Sequence, residues 1–197
     1  MLALSAREQY AAQQADQRAK RQQRMEAEAG GGAEEDEAEA KKRASFKAEV
    51  VAFEQQYSRP LAIFNQDLFP PEQYDQRNGE SRKDGYWKFV GKGEEPPIDF
   101  TYGEFPLPLF AKLVDRACEL RQQLQGGEPG ARDGIAFADL GSGAGRLALW
   151  AAATSAWKSV VGVEYLPGLA EVASEKLSHA RGIPSLLVTA NVELIEG

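Results

Sequence analysis

The residues best suited to chemistry lie between Asp139 and Glu164. Asp139-Leu140-Gly141-Ser142-Gly143-Ala144-Gly145 sets three glycines at alternate positions behind a short apolar run that carries a carboxylate near its end. Glycines so spaced let the backbone turn sharply and bring its N–H groups close to a ligand. A helix starting there points its positive end at the same place. Glu164, 25 residues beyond Asp139, closes a second apolar run, where a carboxylate can accept two hydrogen bonds from a ribose diol. A glycine turn with an acid at the tip of the next strand points to an adenosine-containing cofactor. The dinucleotide fingerprint asks for glycines at the first, third and sixth positions. Counted from Gly141, the sixth place holds Arg146 and the fifth Gly145. An arginine there crowds the close helix–strand packing that the third dinucleotide glycine serves.

These residues need a scaffold, and the surrounding pattern supplies one. Ile135–Leu140 reads as a strand, and the turn is followed by a helix to about Ala156. Ser159-Val160-Val161-Gly162-Val163-Glu164 reads as a second strand. Pro167 opens a helix with Leu169, Val172, Ala173 and Leu177 on one face and Gly182 at its end. Ser185-Leu186-Leu187-Val188 reads as a third strand, just before Thr189-Ala190-Asn191. Strand, helix, strand, helix, strand with short connections predicts an α/β fold with a parallel, doubly wound sheet. Ahead of it, Leu109, Phe110, Leu113, Val114, Ala117, Leu120 and Leu124 recur at three and four, with Pro108 in a first turn and Gly126-Gly127 closing a helix. Cys118, beside that stripe, is read as packing.

The first part of the chain is different. Between Ser5 and Ser45 there is no Val, Ile, Leu, Phe or Trp. Ser5-Ala6-Arg7-Glu8 has the form of a capping box, Gly30-Gly31-Gly32 would end that helix, and a second would run from about Ala33 to Tyr57. Without an apolar stripe, residues 1–57 are expected to form a charged, solvated helical or disordered arm. Residues 58–105 are rich in proline and aromatics and are expected to pack in part onto the residues 106–197 that follow.

Composition excludes several classes. With one Cys and one His there is no internal disulfide and no Cys/His zinc site. No apolar run approaches the ~20 residues of a membrane helix. The net charge of −7 gives no general reason to bind nucleic acid. A soluble chain from a reducing compartment is expected.

The pattern from Asp139 to Gly145 resembles the first motif of S-adenosylmethionine-dependent methyltransferases with a seven-strand, Rossmann-like sheet. In that family the acid before the first glycine lies near the methionine moiety, the loop passes beneath it, and the second-strand acid holds the ribose. The resemblance gives those places to Asp139, Gly141, Ser142, Gly143, Gly145 and Glu164. Upstream, Thr101-Tyr102-Gly103-Glu104-Phe105, a connecting helix, Phe137-x-Asp139-Leu140-Gly141-Ser142-Gly143-x-Gly145 and Gly162-Val163-Glu164 look like the disruptor-of-telomeric-silencing family of histone lysine methyltransferases. In that family the Tyr-Gly-Glu segment lies over the cofactor, which implicates Tyr102, Gly103 and Glu104; Phe105 stands where the family usually has a hydroxyl residue. The acid that follows the family's third strand near the adenine has Asn191 in its place here. The resemblance implies S-adenosyl-L-methionine as cofactor, a histone or nucleosome as partner and a nuclear location.

A complete sheet of that family has seven strands, and this chain stops a few residues past the third. The expectation is therefore an incomplete methyltransferase sheet, from a truncated gene model or fragment and without activity by itself. Its first strand would be an open apolar edge. No catalytic residue is nominated, because an activated methyl donor leaves the protein little acid–base work. The same sheet acting on a small molecule, RNA or another protein, and a non-catalytic cofactor-binding or interaction remnant, remain open as alternatives.

Overall fold

A computed structural model of the 197-residue chain describes residues 37–96, 102–125, 132 and 134–197. The expected helix after Ser5, its Gly30-Gly31-Gly32 stop and the Gly126-Gly127 stop lie outside the described residues. Two compact units are present, Met1–Phe46 and Lys47–Gly197. Helix α1 (Glu37–Gln56) runs across their boundary. In the first unit its described part is largely solvent-exposed and carries an i,i+4 pair between Glu39 and Arg43.

The second unit is built on three parallel strands, β1 (Ala136–Leu140), β2 (Ser159–Glu164) and β3 (Val192–Glu196), in the order β1-β2-β3. Helix α6 (Arg146–Thr154) connects β1 to β2, and helix α7 (Pro167–Gly182) precedes β3. The mixed helix and strand composition with a parallel sheet agrees with the α/β expectation. A strand order that advances in one direction, with right-handed crossovers, puts both helices on one face. The register shows the result. Phe137, Val160 and Val192 align across the sheet, as do Asp139, Gly162 and Leu194, and Val160, Gly162, Glu164 and Val192 are all buried beneath the helices. The alternate set points the other way: Ala136, Ala138, Leu140, Glu193 and Ile195 are exposed, Leu140 at 81 %.

The third strand departs from expectation. Ser185–Val188 is not a strand; β3 begins only at Val192. Ser185 has φ +56°, a left-handed turn rather than extended backbone. The amides of Val188 and Thr189 both bond the Ala152 carbonyl, at 2.8 and 2.9 Å, so the apolar run closes the end of α6. Leu186 is buried there, and Thr189 accepts from the Trp157 amide and donates to the Ser155 carbonyl.

The residues ahead of the sheet form an outer layer. After α2 (Ser58–Ile63) the chain passes through a π turn at Phe64–Leu68 and a 3-10 turn at Pro71–Gln73 into α3 (Tyr74–Arg82), then a second π turn at Lys83–Trp87 and a short α4 (Lys88–Val90). Helix α5 (Leu107–Gln125) lies beside α6, with Phe110 edge-on to Phe137 at 5.9 Å. Trp150 of α6 is the hub of this packing. Its ring meets Phe53, Tyr57 and Phe64 at 5.5, 5.6 and 5.1 Å, each such pair contributing ~0.5–1.5 kcal/mol beyond area burial. Phe53, read from sequence as part of a solvated arm, thus belongs to the core, and Tyr57 packs half-buried against it. No helix among the described residues is long and apolar enough to cross a membrane.

Candidate functional site

The carboxyl ends of β1 and β2 open into a cavity of about 370 Å³. Its sheet side is lined by Asp139, Gly141, Ser142, Gly143 and Glu164. Its other side comes from Tyr102, Gly103 and Glu104, with Ser81 and Arg146 between them. Open parallel sheets bind ligands at this end.

The glycine turn is required by its backbone. Gly141, Gly143 and Gly145 have φ of +79°, +55° and +80°, a region that side-chain-bearing residues enter at a cost of ~1–2 kcal/mol. Space adds a second requirement. A Cβ on Gly143 would lie 2.9 Å from Cε2 of Tyr102, and one on Gly145 would lie 2.7 Å from Cδ1 of Leu194 and 3.3 Å from Cβ of Ala173. Gly145, not the sixth-place residue, is therefore where the turn approaches β3 and α7 most closely. Arg146 opens α6, and its Nη1 donates to the Phe105 carbonyl at 2.9 Å.

The turn's own amides are largely spent inside the protein. Those of Gly141 and Ser142 donate to the Val163 carbonyl at 2.8 and 3.0 Å, and that of Gly145 to the Ser142 carbonyl at 2.9 Å. The Gly143 amide donates to Oε2 of Glu164 at 2.7 Å, while Oε1 of Glu164 accepts from the Leu166 amide at 2.9 Å. Glu164 thus ties the glycine turn to the start of α7. Each of its oxygens keeps a second acceptor site.

Asp139 stands beside it in a different state. Burial, and secondarily the Glu164 charge, raise its carboxyl above the ordinary aspartate pKa of 3.8. Its Oδ2 is buried without a hydrogen-bond partner. The Oγ atoms of Ser81 and Ser142, Nε of Arg146 and Nη2 of Arg77 share that condition, and of these residues all but Arg77 line the same cavity as Asp139. Buried polar atoms without partners are uncommon in folded proteins, so their convergence marks a site shaped for a polar ligand.

The opposite wall is held by a charged cluster. Oε1 of Glu104 accepts from the Tyr102 hydroxyl at 2.8 Å and from Nε of Arg77 at 2.7 Å, with Nη2 of Arg77 at 2.6 Å. Oε2 of Glu104 lies 3.7 Å from Nε of Arg146. Burial, and then the bond to Glu104, push the Tyr102 phenol far above its ordinary value, so it remains a donor.

Of the residues singled out from sequence, Tyr102, Gly103, Glu104, Asp139, Gly141, Ser142, Gly143 and Glu164 meet around the cavity, and Gly145 supports it from behind. Asn191 does not join them. Because β3 starts later than expected, Asn191 precedes that strand and its carbonyl accepts from the Val160 amide at the start of β2. That places it at the amino end of the sheet, away from the cavity. Arg77 and Ser81 were missed. Helix α3 offers almost no apolar residue beyond Tyr74, so the side chains it buries are Arg77 and Ser81, four positions apart. A polar helix with no apolar face to bury was the available signal.

No protein-family model matches this chain, and no curated protein is similar enough in sequence to count as a relative.

Proposed function

We propose that this chain binds S-adenosyl-L-methionine and forms the cofactor-binding part of a methyltransferase with a Rossmann-like sheet. The observation that carries the reading is the character of the cavity: acceptors and negative charge where a dinucleotide would need donors. Asp139, Glu164 and Glu104 line it, and the amides of Gly141, Ser142 and Gly143 are already bonded within the protein. A pyrophosphate binds through free backbone N–H groups and positive charge. A ligand carrying a sulfonium, an ammonium and a ribose diol calls instead for carboxylates. Asp139, with its partnerless Oδ2, suits the cationic end, and Glu164, with one acceptor site left on each oxygen, suits a diol.

S-adenosyl-L-methionine, when bound, supplies an activated methyl group. The chain's own residues then have three tasks: Asp139 and Glu164 orient the ligand, the glycine turn lets it approach the backbone, and Tyr102 with Phe105 shields one side from water. A protein substrate, a histone lysine in the nucleus, is the reading favoured by the Tyr102-Gly103-Glu104 element. Calorimetric titration tests the cofactor: S-adenosylhomocysteine should bind and NAD should not, and tighter binding of NAD would refute the assignment. Transfer of labelled methyl groups to nucleosomes, against free nucleotides and small amines, tests the substrate.

A further inference from the structure

Arg77 is 3 % exposed and does not line the cavity. It lies in α3, outside the sheet and its crossover helices, yet its ion pair bears on the cavity wall. Its Nε donates to Oε1 of Glu104 at 2.7 Å with Nη2 an ion-pair contact at 2.6 Å, Nη1 donates to the Pro70 carbonyl at 3.3 Å, and its guanidinium sits 5.8 Å from the centre of the Phe69 ring. Glu104 in turn accepts from the Tyr102 hydroxyl, and the Tyr102 ring occupies the space a Cβ on Gly143 would need. A continuous set of contacts therefore runs from Arg77 through Glu104 and Tyr102 to the glycine turn. The same outer layer is fixed to α7 at a second point, where the Gly168 amide donates to Oδ2 of Asp84 at 2.9 Å.

We infer that Arg77 is a positioning residue: it acts through Glu104 to hold the Tyr102–Phe105 wall against the glycine turn, and so sets the affinity of the cavity for its ligand without touching it. The physical case is one of alternatives. Nε of Arg77 and the Tyr102 hydroxyl fill the two lone pairs of Oε1, and Nη2 adds positive charge at 2.6 Å, so without Arg77 the carboxylate is left part-buried and short of its counter-charge. Such a charge turns toward solvent rather than stay unpaired, and Tyr102, whose hydroxyl is bonded to it, leaves with it. Lysine cannot reproduce the planar fork that bonds Glu104 through Nε and the Pro70 carbonyl through Nη1, because it presents a single point charge. This inference takes its ligand from the function proposed above, but the wall itself can be followed without any ligand.

The test uses the full chain with Arg77→Met, Arg77→Lys, Glu104→Gln and the double variant Arg77→Met/Glu104→Gln. The contact between the Tyr102 ring and Gly143 is followed by NMR as a nuclear Overhauser effect, and S-adenosylhomocysteine is titrated by calorimetry. Arg77→Met should lose that contact while leaving those within β2 and α6 unchanged, and should weaken binding at least tenfold. Arg77→Lys should fall between it and the parent. The double variant should be little worse than the worse single one, because both act through one contact. A Tyr102–Gly143 contact of parent strength in Arg77→Met would overturn the inference, and so would full additivity of the two substitutions. If Arg77→Met does not fold, Glu104→Gln must still release the wall, and a contact that persists there counts equally against it. A parent chain that binds no S-adenosylhomocysteine would refute the proposed cofactor, while the NMR comparison would still decide the role of Arg77.

Discussion

The two walls of the cavity are made in different ways. The sheet wall is built from backbone: three glycines in left-handed conformations, amides returned to Val163 and Glu164, and close approaches that leave no space for a Cβ. The facing wall is built from side chains, with Glu104 held between Arg77, Tyr102 and Arg146. Backbone walls are rigid and intolerant of substitution. Walls held by ion pairs depend on a few charges and tolerate changes elsewhere. The sheet wall also lends itself to recognition as a motif, because its constraints fall on consecutive residues, whereas the other draws on residues far apart in the chain.

Substitutions can break or sharpen this contrast. The largest effect should come from Glu164→Ala. It strips the acceptor from two buried amides, at ~1–3 kcal/mol each, and removes the diol contact, so a marked fall in melting temperature should accompany a roughly tenfold to hundredfold loss of affinity for S-adenosylhomocysteine. A dissociation constant equal to the parent's would show that Glu164 serves the turn alone. Gly143→Val comes next. A β-branched residue at φ +55° is strained, and its Cβ meets Tyr102, so about a hundredfold weaker binding is expected; calorimetry on the folded fraction measures it.

Asp139→Asn should weaken binding by about tenfold, the loss expected for one charge-assisted contact, yet raise the melting temperature at neutral pH. The sign follows from linkage. The folded-state pKa of Asp139 lies above its ordinary value of 3.8, so the folded chain binds this proton more tightly than the unfolded one. Stability from this group is present below that value and is lost as pH rises through the folded pKa. Affinity for a cationic ligand should move oppositely, rising over the same interval as the carboxyl ionises. Melting curves and titrations at matched pH check both, and parallel trends would remove Asp139 from the ligand site. The smallest effect belongs to Gly103→Ala. An added Cβ there meets nothing within 4 Å, so affinity should stay within about threefold of the parent's. A large loss would mean that the second wall also depends on backbone.

Much of the central fold was legible because its signals are local. Apolar runs bounded by glycine, and Pro167 at the start of a helix, located β1, α6, β2 and α7 to within a residue or two. β3 was misplaced because Ser185–Val188 has a strand's composition but sits in a turn that closes α6, whereas Val192–Glu196 lies at a sheet edge with one face open and carries two glutamates. Asn191 was misassigned for the same reason. Asp139, Gly141, Gly143 and Glu164 were legible from their spacing. Arg77 was not, because a buried arginine is recognised only by its partner, and Glu104 lies 27 residues away.

The outer layer also bears on how the chain reaches its native state. Its anchors span long stretches of sequence: Asp84 to Gly168 over 84 residues, and Arg59 to the Pro184 carbonyl over 125. The aromatic residues Phe53, Tyr57 and Phe64 find their common partner only in Trp150. During synthesis they leave the ribosome well before α6 exists, and they wait without a core. Contacts this non-local slow folding, since loop closure must be met before any packing returns it. Phe53 and Phe64 therefore lack their native partner for roughly the several seconds that separate their synthesis from that of Trp150.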